Sequence, residues 1–151
     1  MDINTRIFGT IGVDETKIIN FPDGIVGFPF MQKFLLINDM DKKESKISWL
    51  QSIDEPEFAM PVIDPLIIKE DYNPMVEDEL FETIGELRED NTFVLVTMTV
   101  PQNIEKMTVN LMAPIIINTD TLKAAQIIVE EEGYTVKYPI YDILKNKKGG
   151  N

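Results

Sequence analysis

The chain has 151 residues, 44% of them hydrophobic, and a formal net charge of -12. That length suits one domain, large enough to bury roughly 70% of its unfolded surface. It has no cysteine, which excludes disulfide and thiolate chemistry, and no histidine, which removes the commonest general base and metal ligand.

The surplus of acid sets the chain against nucleic acid and anionic membrane and inclines it toward basic partners. The first residues, MDINTRIFGTIGVD, hold no apolar signal-peptide core, and no later run approaches about 18 apolar residues. The expectation is a soluble cytoplasmic protein that binds neither nucleic acid nor membrane directly.

In chain order the signals are mostly those of strands. Segments 5–11 and 16–20 read as a hairpin around GVDE. FPDG (21–24) follows as a type I turn, with proline presetting φ and glycine at the fourth position. Residues 34–38 and 47–53 read as strands around the charged loop DMDKKES. Residues 58–64 form a strand whose Pro61 predicts an edge or a bulge. NPMVEDELFETIGEL (73–87) is the one helical candidate. Asn73 would be its N-cap and Pro74 its first residue, Val76, Leu80, Phe81 and Ile84 its apolar stripe, and Gly85 its end.

TFVLVTMTV (92–100) is the clearest strand, with Val94, Val96, Met98 and Val100 on one face and Phe93 and Leu95 opposite. TVNLMA (108–113) alternates with Val109, Leu111 and Ala113 on one side. Pro114 interrupts the ladder, IIIN (115–118) resumes it and NTDT turns. LKAAQIIVEEEG (122–133) carries helical spacing but a β-branched run, and reads as a strand. YTVKYPIY (134–141) is the last strand. The expected fold is mainly β: a small closed or partly open barrel-like single domain over 1–144 with one short acidic helix, and a flexible tail at 145–151.

No nucleophile–base constellation, phosphate loop or ligand cluster appears, so no catalytic residue, metal or cofactor is expected. Asp64, Glu70 and Asp71 lie near one another and allow an alternative reading, a carbohydrate-acting domain with Trp49 as platform. Surface acids and a core tryptophan are the plainer reading. DMDKKE (39–44) begins like a calcium loop but puts Lys42 and Lys43 where oxygen ligands belong. Gln51 and Asn110 sit inside strand patterns and read as satisfied buried amides, with partner contact as the alternative. A third reading is a structural subunit that self-associates. The most informative segment is 69–90, with nine carboxylates against two bases, an excess of seven negative charges. Glu70, Asp71, Tyr72, Glu77, Asp78, Glu79 and Glu82 are candidate partner-binding residues there, and Glu130, Glu131 and Glu132 form a second acidic block.

Several ordered blocks resemble one known family, the flagellar assembly factor FliW family. IINFPDGIVGFPFMQKFLLI (18–37) is similar to its Phe-x-x-Gly-hydrophobic-x-Gly-Phe segment, through Phe21, Gly24, Gly27 and Phe28. WLQSIDEPEFAMPVIDP (49–65) is similar to its Leu-Gln-Ser stretch, with Leu50, Gln51 and Pro65. KEDYNP (69–74) resembles its tyrosine-containing entry to the acidic helix, at Tyr72. TVNLMAPIIIN (108–118), with Leu111 and Pro114, leads through a turn to Gln126. The approach KAAQ departs from the glycine that members often carry. The resemblance implies a cytoplasmic, non-enzymatic barrel-like protein with two alternative partners, flagellin and the RNA-binding translational regulator CsrA. Free of exported flagellin, it would bind CsrA and relieve repression of flagellin synthesis.

Overall fold

The computed structural model describes residues 1–38 and 46–149. The charged loop expected at DMDKKES (39–45) therefore lies outside the described residues. The strands are β1 (Asp2–Thr5), β2 (Gly9–Gly12), β3 (Ile19–Asn20), β4 (Lys33–Asn38), β5 (Ile47–Ser52), β6 (Ala59–Ile63), β7 (Thr92–Thr99), β8 (Thr108–Val109), β9 (Ile115–Asn118), β10 (Lys123–Gln126) and β11 (Tyr138–Pro139). Three short helices interrupt them: α1 (Pro65–Ile68), α2 (Leu80–Ile84) and α3 (Tyr141–Gly149).

Seven of the strands close into a barrel in the order β3-β4-β5-β6-β7-β9-β10, with β10 returning to β3. Every pairing is antiparallel except that last one, a single parallel step between Lys123 and Asn20. The mainly β expectation with barrel closure holds. β7 is long enough to serve several neighbours: Thr92–Leu95 pair with β9, Val96 and Thr97 with β6, and Met98 and Thr99 with β8. β11 then pairs with β8.

Side-chain alternation sorts the apolar residues into layers. Phe21, Phe34, Leu50, Val62, Leu95, Ile115, Ile117 and Ala124 point inward and form the barrel interior, where the Phe21 and Phe34 rings meet edge to face at 5.1 Å. The opposite faces are also covered. Ile63, Val96, Met98 and Val109 pack beneath Ile68, Tyr72, Leu111 and Ile140. Ile116 and Ala125 pack beneath Ile84 of α2. A strand covered on both sides reads as a continuous apolar run, which is why IIIN does not alternate.

Several boundaries differ from the expectation. The opening hairpin is β1–β2, not 5–11 with 16–20. Thr5 folds the chain back inside the expected strand: its hydroxyl donates to the Gly9 carbonyl at 2.8 Å and accepts the Phe8 N–H at 2.9 Å, while Gly9 takes φ 67°. Residues 15–17 form a 3-10 turn capped by Asp14, and Ile19–Asn20 pair with β4. Pro61 is not on an edge strand, because β6 lies between β5 and β7. Its pairing with β7 begins only at Val62, so the missing N–H leaves no ladder bond unmade.

The helix expected over 73–87 is confined to Leu80–Ile84. Asn73 is no N-cap; its N–H donates to the Tyr134 hydroxyl at 2.9 Å, and the Met75 N–H donates to the Glu131 carboxylate at 3.1 Å. These bonds tie residues 73–75 to the segment around 131–134, outside any helix. Gly85 does end the helix, at φ 93°. The one-helix expectation is further corrected by α1, which starts on an Asp64 cap with Pro65 in its first turn, and by α3, which runs into the segment read as a tail. Strand 108–113 keeps only its first two residues, because Asn110 turns the chain; strand 134–141 keeps only Tyr138 and Pro139.

Candidate functional site

Four of the family-motif residues build one cradle at the barrel mouth. Gly24 closes the FPDG turn, its N–H donating to the Phe21 carbonyl at 2.9 Å. It takes φ 71°, and a Cβ there would lie 2.5 Å from the Pro29 Cα. Ile25 and Phe28 exchange backbone bonds around Val26–Gly27, with Gly27 at φ 86°. Gln126 ties this tip to the barrel: its Oε1 accepts the Val26 N–H at 2.9 Å and its Nε2 donates to the Ala113 carbonyl at 3.1 Å. That side chain bridges the place where β10 and β3 share only one pairing. The tip presents Val26, Phe28 and Phe30 to solvent, Phe30 being 60% exposed.

The remaining motif residues are scaffold. Phe21, Leu50 and Leu111 are fully buried, Pro65 and Pro114 are buried, and Gln51 is completely inside. The Gln51 Nε2 lies 2.9 to 3.1 Å from the carbonyls of Ser52, Pro56 and Phe58, so it closes the β5–β6 turn; its Oε1 has no hydrogen-bond partner among the described residues. Tyr72 is buried too and donates to the Leu111 carbonyl at 2.7 Å. Burial, then the neighbouring Tyr134 and Glu131, pushes its hydroxyl pKa well above the ordinary phenol value. Half-buried Asn110 accepts the Met112 N–H at 3.0 Å, which makes it a turn-former. Among the candidates named from sequence, Gln51 and Tyr72 therefore have almost no surface.

The acids of 69–90 are arranged differently. Glu70, Asp71, Glu77, Asp78, Glu79 and Glu82 are all exposed. The two bases of the segment are engaged: Lys69 with Asp71 at 3.2 Å, and Arg88 with Asp90 at 3.0 Å and Asp120 at 2.8 Å. Hydrogen bonds from Arg88 and Asn91 hold the Asp120 carboxyl below its ordinary range. Of the nine carboxylates, the seven other than Asp71 and Asp90 have no ion-pair partner among the described residues. The face keeps its field.

Two asparagines that sequence reasoning passed over anchor this face. Asn118 Nδ2 donates to the carbonyls of Ile84 and Glu86, and Asn91 Nδ2 donates to Glu86 and to Asp120. Both are buried. Asn118 thereby satisfies the Ile84 carbonyl at the end of α2, and both asparagines hold the Glu86 carbonyl just beyond it. The available signal was an asparagine ending an apolar strand just before a turn. Also unpredicted is a groove of about 490 Å³ between residues 75–83 and 127–131, lined by the apolar Met75, Leu80, Ile127, Ile128 and Val129 together with Glu77, Glu79, Glu130 and Glu131.

The carbohydrate reading has no assembled site behind it. Asp64 caps α1 at 2.9 Å, Asp71 pairs with Lys69, and Trp49 is half-buried with its ring edge to face with Phe8 at 6.0 Å.

Fold and surface together define a small closed β-barrel that presents an acidic, partly apolar face instead of converging reactive groups. Comparison with known proteins agrees and is more specific. The FliW protein family model matches residues 2–140. A flagellar assembly factor FliW of Lachnospira eligens is 48% identical over 150 residues, covering 98% of this chain and 99% of that one. The corresponding protein of Lachnoclostridium phytofermentans is 44% identical over 148 residues, covering 97% and 95%. A crystal structure of the flagellar assembly factor FliW superposes with a TM-score of 0.85 at 28% identity, over 93% of this chain and 97% of that one. The chain belongs to the FliW family of flagellar assembly factors.

Proposed function

We propose that the protein is a cytoplasmic, non-enzymatic binding protein with two alternative partners, flagellin and the RNA-binding regulator CsrA. Held by cytoplasmic flagellin it is occupied; released when flagellin is exported, it binds CsrA, which then lets go of the flagellin message. It contacts neither nucleic acid nor membrane itself, and no helix among the described residues is long and apolar enough to cross one.

The observation that carries this reading is the uncompensated carboxylate face at 69–90 on a rigid barrel. A protein that holds RNA phosphates needs basic side chains, and a fixed acidic surface is their complement. Bound beside or over the RNA-binding surface, these carboxylates would repel phosphate. The test is a partner swap with the protein limiting. Flagellin and CsrA should each deplete the other's complex. Stable co-purification of all three at saturation would overturn alternative occupancy.

A further inference from the structure

The groove between residues 75–83 and 127–131 borders the open edge of the segment that continues past the end of β10. Beyond β10 the chain continues beside residues 112–114, with the Ile127 N–H donating to the Pro114 carbonyl at 3.0 Å and the Val129 N–H donating to Met112 at 2.8 Å. Successive strand amides point to opposite sides, so the Ile128 and Glu130 backbone groups face away from that pairing. Neither residue has a backbone hydrogen bond among the described residues. Native edges are commonly shielded by lysine, proline, a bulge or a covering element. Here the edge carries Ile127, Ile128 and Val129 in succession, with Ile128 59% exposed. Five consecutive residues line the groove, so strand edge and strand face both form its wall. From the other side of the groove come Met75, 73% exposed, and Glu77 and Glu79, which have no ion-pair partner among the described residues.

We propose that this edge and groove dock an extended, basic segment of a protein partner, which adds as a strand along Ile128 and sets alternate apolar and Lys/Arg side chains over Met75 and the flanking carboxylates. Strand addition is the mode that satisfies free edge amides; a helix laid in the groove leaves them unpaired. Charge selects the occupant: Glu77, Glu79 and Glu130 line the groove beside its apolar side chains with no base in the lining, so an acidic strand would be repelled and a neutral one would leave them uncompensated. The inference rests on the proposed function for the partner's identity and assigns the groove to the basic one of the two.

The experiment titrates CsrA into the intact protein by calorimetry and follows amide hydrogen exchange at Ile128. In the complex the Ile128 amide becomes protected. Ile128→Pro removes the free donor without breaking an internal bond, so the unfolding midpoint stays put while CsrA affinity falls about tenfold or more. Ile128→Val, which keeps the edge, binds like wild type. Glu77→Gln with Glu79→Gln and Glu130→Gln weakens binding more at low salt than at physiological salt. Wild-type binding with no protection at Ile128, or unweakened by both Ile128→Pro and the triple change, overturns the groove and leaves the functional reading standing. Should Ile128→Pro disturb the fold, exchange in the wild type decides. Protection of Ile128 by flagellin but not by CsrA overturns the basic-partner assignment. No binding of CsrA to the wild type overturns the functional reading itself.

Discussion

Replacing Gly24 by alanine tests how the motif loop is held. Gly24 takes φ 71°, in the left-handed region, where a side chain costs about 1–2 kcal/mol. The added Cβ would also lie 2.5 Å from the Pro29 Cα and 2.6 Å from the Phe28 carbonyl oxygen, backbone atoms that cannot rotate aside. Shifting that backbone costs about 1–3 kcal/mol more, by analogy with overpacked cores. Together the penalty is about 2–5 kcal/mol, a large share of the roughly 5–15 kcal/mol that stabilises a typical domain. At the usual urea dependence the midpoint should fall by about 1–3 M. The single tryptophan, Trp49, edge to face with Phe8, supplies the fluorescence signal. Gly27→Ala is the control: its φ is 86°, but nothing lies within 4 Å of the new Cβ, so it should carry the backbone strain alone. If both variants lose the same stability, the close approach at Pro29 contributes nothing and the reasoning is wrong.

Other outcomes follow from single contacts. Gln126→Leu strands the Val26 N–H and the Ala113 carbonyl; it should cost about 1–3 kcal/mol, and exchange at Val26 should quicken. Asn110→Leu frees the Met112 N–H and should lower stability by a similar margin of about 1–3 kcal/mol; an unchanged denaturant midpoint with lost partner binding would move Asn110 to the interface. Tyr72 has its folded pKa raised, so the native state holds the phenolic proton more tightly than the unfolded chain. Its contribution is therefore fully present below the unfolded value near pH 10 and is lost as pH rises above it. Alkaline unfolding monitored by circular dichroism should shift less with pH in Tyr72→Phe than in the wild type. Changing Glu77, Asp78, Glu79 and Glu82 together to Gln should leave folding intact but weaken displacement of RNA from CsrA, with a deficit that shrinks as salt screens charges beyond about 8 Å. Wild-type displacement by that variant at low salt would end the electrostatic role.

What the sequence determined by itself was local. Alternation in 92–99 and the apolar run at 115–118 specified strands, because side-chain period and β-branching act within a few residues. FPDG specified its turn, Gly85 the end of α2, and the count of acids against bases the sign of the surface field. The order of blocks from Phe21 to Gln126 was enough to indicate the family, though not the contacts those residues make.

Only the tertiary structure decided which backbone groups find partners across the chain. Asn73 and Pro74 have the local chemistry of a helix start, yet Tyr134 and Glu131, about sixty residues away in sequence, capture the amides at 73 and 75 and keep the segment out of the helix. Tyr72 and Gln51 looked available to a partner and are buried, because Leu111 and the β5–β6 turn need their hydrogen bonds. Gln126 reaches a loop a hundred residues earlier, near the seam where β10 and β3 share a single pairing. The open edge at Ile128 arises the same way. A strand's edge is free or covered according to which distant segment lies beside it, and that follows from barrel closure, a property of the whole chain that no window of residues carries.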